Sequence, residues 1–207
     1  MKIAVIGASG KTGSLVVETA RASGHEVVAI VRDPARLAVA ADRVERADAT
    51  SAVELAGAIR GVDAVAWCVG PGRDTAADVM ALSATATVDA MRAAGVRRLV
   101  VITASGPYGE GDNAITRFIA KPILWRVLGE VWRDMQATEL VVRPSGTDWT
   151  ILRPPQLKDG PATGGYQSNR DANVRWGFTI RRADLARAIV DALDDDTSIG
   201  RAISVAN

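Results

Sequence analysis

Gly7, Gly10 and Gly13 lie in the run Gly7-Ala8-Ser9-Gly10-Lys11-Thr12-Gly13, directly after the apolar stretch Lys2–Ile6 and ahead of a helical pattern. In a strand–turn–helix setting each glycine has its own task. Gly7 permits the tight turn, Gly10 lets a pyrophosphate approach the backbone, and Gly13 lets helix and strand pack closely. The amides and positive end of the helix that follows favour the phosphates. A nucleoside-triphosphate loop needs four residues between its glycines, whereas two separate Gly7 from Gly10. A glycine turn without a ligand is the plain alternative.

The second apolar run ends about 20 residues further on, where an acidic residue would hold the ribose 2′-hydroxyl of NAD. The residues there are Val31-Arg32-Asp33-Pro34-Ala35-Arg36. Arg32 occupies the expected acidic position and Arg36 follows one helical turn later. Two guanidinium groups suit a 2′-phosphate, which arginine contacts in bidentate fashion, so the expected cofactor is NADP(H). Asp33 is adjacent and within reach of the ribose, which keeps NAD(H) open; an ordinary solvated arginine pair is the alternative. Asp48 ends a weaker strand pattern, Val44–Ala47. It is placed to bond an adenine amino group, with Ala49 beside the ring, or equally to cap a helix.

The elements that position these residues alternate along the chain. Nearly continuous apolar runs at Lys2–Ile6, Glu26–Val31, Val62–Val69, Arg98–Thr103 and Trp149–Leu152 read as strands covered on both faces, and Arg201–Val205 as a last strand. Helical patterns span Thr12–Ser23 and Thr75–Ala94, each followed by a glycine, and Arg181–Leu193. This repetition predicts an α/β fold: a doubly wound, mostly parallel sheet of the Rossmann type with helices on both faces. Two stretches break the rhythm. Gly106–Gly146 reads as two helices separated near Pro122, since proline disfavours helical geometry in the residue before it. Residues 154–179, rich in Gly, Pro, Asn and Asp, read as loops or a short hairpin. Both follow strands, where loops at the carboxyl ends of an open sheet shape a ligand crevice.

With 207 residues the chain fits one domain, 1–207, at roughly 150 residues per domain. Hydrophobic residues at 48% and charged residues at 24% exclude a disordered chain. A net charge of +1 argues against broad nucleic-acid binding. One cysteine and one histidine exclude a disulfide framework and Cys- or His-paired zinc, so no metal is expected. Only four apolar residues precede the glycines, too few for a signal-peptide core, and no apolar run reaches membrane-spanning length. The expected location is cytoplasmic, with no membrane or nucleic-acid partner. His25 reads as a turn residue, Cys68 as a buried small side chain, and Asp194–Asp196 as a solvated turn.

These motifs resemble the atypical short-chain dehydrogenase/reductase proteins with an NAD(P)H-binding domain, in particular the flavin reductase/biliverdin-IXβ reductase type. The likeness rests on GASGKTG at the start, VRDPARL after the second strand, VVITASG at the fifth strand and SGTDWTILRPPQL near residue 150. It implies that Gly7, Ser9, Gly10, Lys11, Thr12 and Gly13 surround the pyrophosphate, and that Arg32 and Arg36 hold the 2′-phosphate. Asp48 and Ala49 would line the adenine pocket, and Val69, Gly70, Gly72 and Arg73 would lie near the ribose and phosphates. It further implies that Thr103, Ala104, Pro154, Pro155, Gln156 and Leu157 lie near the nicotinamide, with Ser105 the catalytic candidate.

The sequence departs from the family in one informative way. Ordinary short-chain dehydrogenases use a Tyr-x-x-x-Lys pair in which lysine prepares tyrosine for proton transfer. Here Tyr108 and Tyr166 are followed four residues on by Asp112 and Arg170, and Gln156 stands where a family histidine falls. A delocalised acceptor such as a flavin or quinone needs no dedicated side-chain acid, because its ring spreads the incoming charge and solvent supplies the proton. Pro107, Tyr108, Trp125, Trp132 and Leu157 are candidate walls for that acceptor, against simple core packing. The expected function is therefore an NADP(H)-dependent reductase of a conjugated acceptor. A non-catalytic NADP(H)-binding redox sensor, or a sugar-nucleotide epimerase or dehydratase, are the alternatives.

Overall fold

A computed structural model describes residues 1–72 and 78–207 of the chain. The apolar runs become β1 (Lys2–Ile6), β2 (Glu26–Val31), β3 (Arg43–Arg46), β4 (Ala64–Trp67), β5 (Arg98–Ile102) and β6 (Asp148–Arg153). The chain continues through β7 (Gln156–Lys158), β8 (Gln167–Arg170), β9 (Thr179–Arg181) and β10 (Arg201–Ala206). Eight of these strands form one sheet in the order β3-β2-β1-β4-β5-β6-β10-β8, parallel except for β8, which runs antiparallel to β10. Strand order reverses between β1 and β4, which opens a crevice above their carboxyl ends.

Alternation along each strand feeds two cores. Ile3 and Val5 of β1, with Val27, Ala29 and Val31 of β2, join one cluster. That cluster lies under α1 (Lys11–Ala22) and α5 (Arg182–Asp194), which pack on each other. Ala4, Ile6, Val28 and Ile30 point the other way. They meet α2 (Ala52–Ala58) and α3 (Val79–Ala94), with α4 (Lys121–Val142) packed on α3. The fold is a Rossmann-type α/β sheet with helices on both faces, and burial on both sides explains why its strands read as continuous apolar runs. Among the described residues no helix is long and apolar enough to cross a membrane.

The irregular regions differ from expectation. Pro122 does not separate two helices. A π-helical turn over Thr116–Ala120 runs straight into α4, where Pro122 sits in the first turn. Proline lacks the N–H and its ring crowds the carbonyl four residues back, so a wider turn just before it keeps the helix continuous. Residues 154–179 hold no simple hairpin either. β7 pairs in parallel with β9 as a small second sheet, and β8 extends the main sheet. All four residues of β8 are exposed, so it carries no apolar alternation and is held by backbone pairing to β10. The short helix α2 was also unexpected. Its signal is the pattern Ser51-x-x-Glu54: the Ser51 hydroxyl accepts from the Glu54 amide at 3.4 Å, while the Glu54 carboxylate reaches past Ser51 to accept from the Asp48 amide at 2.9 Å.

Candidate functional site

The carboxyl edge of the sheet carries two clefts. The first, about 420 Å³, lies over β1, β2 and β4 and is lined by residues that include Gly7, Ser9, Gly10, Arg32, Asp33, Arg36, Asp48, Ala49, Val69, Gly70 and Gly72. Backbone geometry builds it. Gly7 has φ +81° and a Cβ there would lie 2.9 Å from the Cys68 carbonyl oxygen, while a Cβ on Gly13 would lie 2.2 Å from the Gly7 carbonyl oxygen. Only glycine fits either place without moving main chain. Gly10 is the N-cap of α1 and no side chain caps that helix, which also has no acidic residue in its first turn. Its leading amides are thus left for an incoming anion. This cradle fits the pyrophosphate of a dinucleotide.

Side chains complete the rim. Asp33 caps the one-turn helix Pro34–Arg36, its Oδ1 accepting from the Ala35 amide at 3.1 Å, so this carboxylate is engaged locally. The Asp48 carboxylate accepts from the Thr50 amide at 2.8 Å and from the Thr50 hydroxyl at 2.7 Å. These bonds, with the nearby Arg32 charge, hold it below the usual carboxylate range. It is not the helix cap; Ser51 is. Lys11 lies outside the lining and pairs at 3.0 Å with Asp159, which also binds Arg182. Gly13 is buried within α1, and Thr12 is likewise outside the lining. Cys68 lines the same cleft but burial pushes its thiol up to about 12. Arg73 lies outside the described residues.

The second cleft, about 440 Å³, lies over β5, β6 and β10. Ala104, Ser105, Pro154, Pro155 and Gln156 line it, with Lys121, Leu124, Leu128, Trp132, Trp176 and Phe178. Trp132 reaches the wall because Gly106 has no side chain: a Cβ there would lie 2.4 Å from the Trp132 ring. Pro107, Tyr108 and Trp125 fall outside the lining. Trp125 meets Trp132 edge to face at 5.1 Å, and the Tyr108 ring is covered by Arg153, whose Cζ stands 3.3 Å from the ring centroid. Leu157 packs against the core beneath α1 and α5. Thr103 is buried and faces inward, its Oγ1 donating to Glu139 Oε1 at 2.9 Å.

Two polar hubs in and behind the wall of this cleft carry no sequence signal. In the first, Glu139 of α4, 2% exposed, accepts from Arg153 Nε at 2.8 Å and Nη2 at 2.5 Å, and from Arg143 Nη2 at 3.0 Å. Burial alone would raise the Glu139 pKa. The Arg153 bonds and charge, then Arg143 and Thr103, outweigh it and hold the carboxyl below its ordinary 4.5. Tyr108 beside it is pushed up to about 12, by burial and then by the Glu139 charge. In the second hub, Asp112 pairs with Lys121 and accepts from Asn173 Nδ2 at 3.0 Å. Lys121 and Asn173 share two further acceptors, the carbonyls of Ser105 and Tyr108. The loop after β5 is therefore clamped from α4 on one side and from the segment after β8 on the other. The Ser105 amide donates to the Pro154 carbonyl at 2.9 Å, which ties the ends of β5 and β6 together.

An open α/β sheet with a glycine-cradled cleft at its switch point and a second cleft beside it defines a Rossmann-type dinucleotide-binding protein. The chain belongs to the NAD(P)H-binding family, whose model matches residues 7–196. It is 30% identical to the uncharacterized protein YwnB of Bacillus subtilis (strain 168), over 94% of this chain and 92% of that one. It is 27% identical to the uncharacterized sugar epimerase YhfK of the same organism, over 99% and 94%. Among solved structures it is similar to ChuY, an anaerobillin reductase from Escherichia coli O157:H7, with 25% identity, a TM-score of 0.79, and 100% and 97% of the two chains covered.

Proposed function

We propose that this chain is an NADP(H)-dependent reductase that passes hydride to a flat conjugated acceptor such as a flavin or a quinone. The observation that carries this reading is the state of the second cleft. Its walls are largely apolar, and the titratable groups around it, Lys121 with Asp112 and Arg153 with Glu139, are engaged with one another. No Tyr-x-x-x-Lys pair stands ready to exchange a proton with a carbonyl substrate. A conjugated ring needs none, because it spreads the added charge and takes its proton from water.

The cofactor when bound supplies the hydride. The chain's own part is to hold and orient it: the glycine loop and the α1 amides receive the pyrophosphate, and Arg32 and Arg36 receive the 2′-phosphate. Ser105, Pro154 and Pro155 line the second cleft at the neighbouring strand ends, where they set the side on which the acceptor lies. Membership of the NAD(P)H-binding family and the likeness to an anaerobillin reductase support this assignment. The partner is a small molecule rather than nucleic acid or membrane.

The test is NADPH consumption with riboflavin, FMN and a small quinone offered in parallel, and NADH as the control. Acceptor-dependent oxidation of NADPH in preference to NADH is the expected result. Measured NADPH binding with no turnover on any acceptor would overturn it in favour of a non-catalytic redox sensor.

A further inference from the structure

Trp176 is anomalous in two respects at once. Its backbone φ is +63°, a left-handed conformation that bulky side chains rarely adopt. Its side chain recovers little in return, because the residue is 62% exposed. Phe178, two residues on, is 54% exposed and meets the Trp176 ring edge to face at 6.3 Å. Both line the second cleft. Strained backbone of this kind persists where surrounding structure enforces it, and it gathers at ligand clamps.

The enforcement is visible. Asn173 is buried, and besides its bonds to the loop after β5 it accepts from the Ser204 hydroxyl at 3.0 Å. The Asn173 amide donates to the Glu110 carbonyl at 2.8 Å, and the Gly177 amide donates to the Val174 carbonyl at 3.0 Å, closing a tight turn around Trp176. A Cβ on Gly177 would lie 2.4 Å from the Ala206 Cβ, so this turn is seated directly on the end of β10. Two large aromatic rings are thereby held toward solvent on a fixed support, where the hydrophobic effect alone would turn them inward.

We propose that Trp176 and Phe178 are a preset stacking platform that selects fused-ring conjugated acceptors, of the isoalloxazine or naphthoquinone type, over single-ring ones. This deepens the reductase reading and rests on it for the identity of the acceptor. A ring lying on Trp176 recovers the contact that the exposed side chain lacks, and a broader fused system covers more of the pair. Fixing the platform before binding removes the ordering cost that a mobile side chain would impose.

Riboflavin binding, measured by quenching of its own fluorescence with and without saturating NADP⁺, tests the platform. The variants are Trp176→Gly and Trp176→Phe. Glycine accepts the left-handed backbone, so Trp176→Gly is expected to melt at the same temperature as the parent or higher while binding riboflavin roughly tenfold more weakly, the size of one base–aromatic stack. Trp176→Phe should retain most of the affinity, and NADPH affinity should be unchanged in both. If Trp176→Gly binds riboflavin as tightly as the parent, or melts lower, the ring serves the fold and the proposal falls. Activity separates the two claims. Turnover with an unchanged acceptor KM in Trp176→Gly overturns the platform and leaves the reductase. Trp176-dependent riboflavin binding without turnover on any acceptor supports the platform and overturns the reductase.

Discussion

At the ends of β1 and β2 the dinucleotide cleft is shaped by main chain: Gly7 and Gly13 sit where a Cβ would strike backbone, and α1 begins without a side-chain cap. At the ends of β5 and β6 the second cleft is shaped by side chains that come from far apart in the chain. Thr103 meets Glu139 across 36 residues and Asn173 meets Asp112 across 61. The first cleft thus depends on a few glycines within one local motif. The second depends on buried charge pairs, which stabilise only while every partner is present. One half is set by local main chain, and the other by long-range side-chain pairs that must all be present together.

The largest effect expected from this contrast is at Glu139. Replacing it with Gln leaves Arg153 buried without a counter-charge and should cost about 3–5 kcal/mol in denaturant unfolding. The pH dependence follows from the same group. Its folded pKa lies below the unfolded value of 4.5, so its contribution is present above that value and is lost as pH falls through the folded pKa. Glu139→Gln should therefore show a shallower loss of stability on acidification than the parent; an equal slope would remove Glu139 as the acid-sensitive group.

Gly13→Ala comes next. The added Cβ meets an immovable carbonyl, and the expected loss is about 1–3 kcal/mol, accompanied by loss of NADPH binding. If calorimetry showed full cofactor affinity in this variant, the backbone account of the first cleft would be wrong. Arg32→Ala should weaken NADPH binding by about ten- to a hundredfold, as for a lost charge-assisted hydrogen bond, and leave NADH binding nearly unchanged. Equal losses for both nucleotides would contradict the 2′-phosphate assignment. The smallest effect is expected at Ser105, where Ala should lower turnover by a few-fold and spare cofactor affinity; unchanged turnover would leave the serine as a wall residue only.

The same division explains what could be read from the chain. β1 and β2 fall at the ends the apolar runs predict, and the glycine spacing placed the first cleft, because both signals are local. The second cleft is less legible. Tyr108 and Trp125 are aromatic and near the right strand, yet one covers Arg153 and the other backs Trp132. Lys121, Asp112 and Asn173 look like ordinary surface residues until the fold brings them together. Polar β8 carries no apolar pattern, and α2 is too short for a helical stripe, so the Ser51 and Glu54 pair is a signal the apolar reading passes over. Trp176 is marked by its backbone and its exposure, neither of which a sequence pattern reports.

If the two clefts form one reaction path, rapid mixing will show it. Protein saturated with NADPH is mixed anaerobically with riboflavin, and the reduced-nicotinamide and oxidised-flavin absorbances are followed together. Both are expected to fall at the same rate and in equal molar amounts, and the same experiment with NADH to be slower. A stable NADPH complex beside unreduced riboflavin would contradict it.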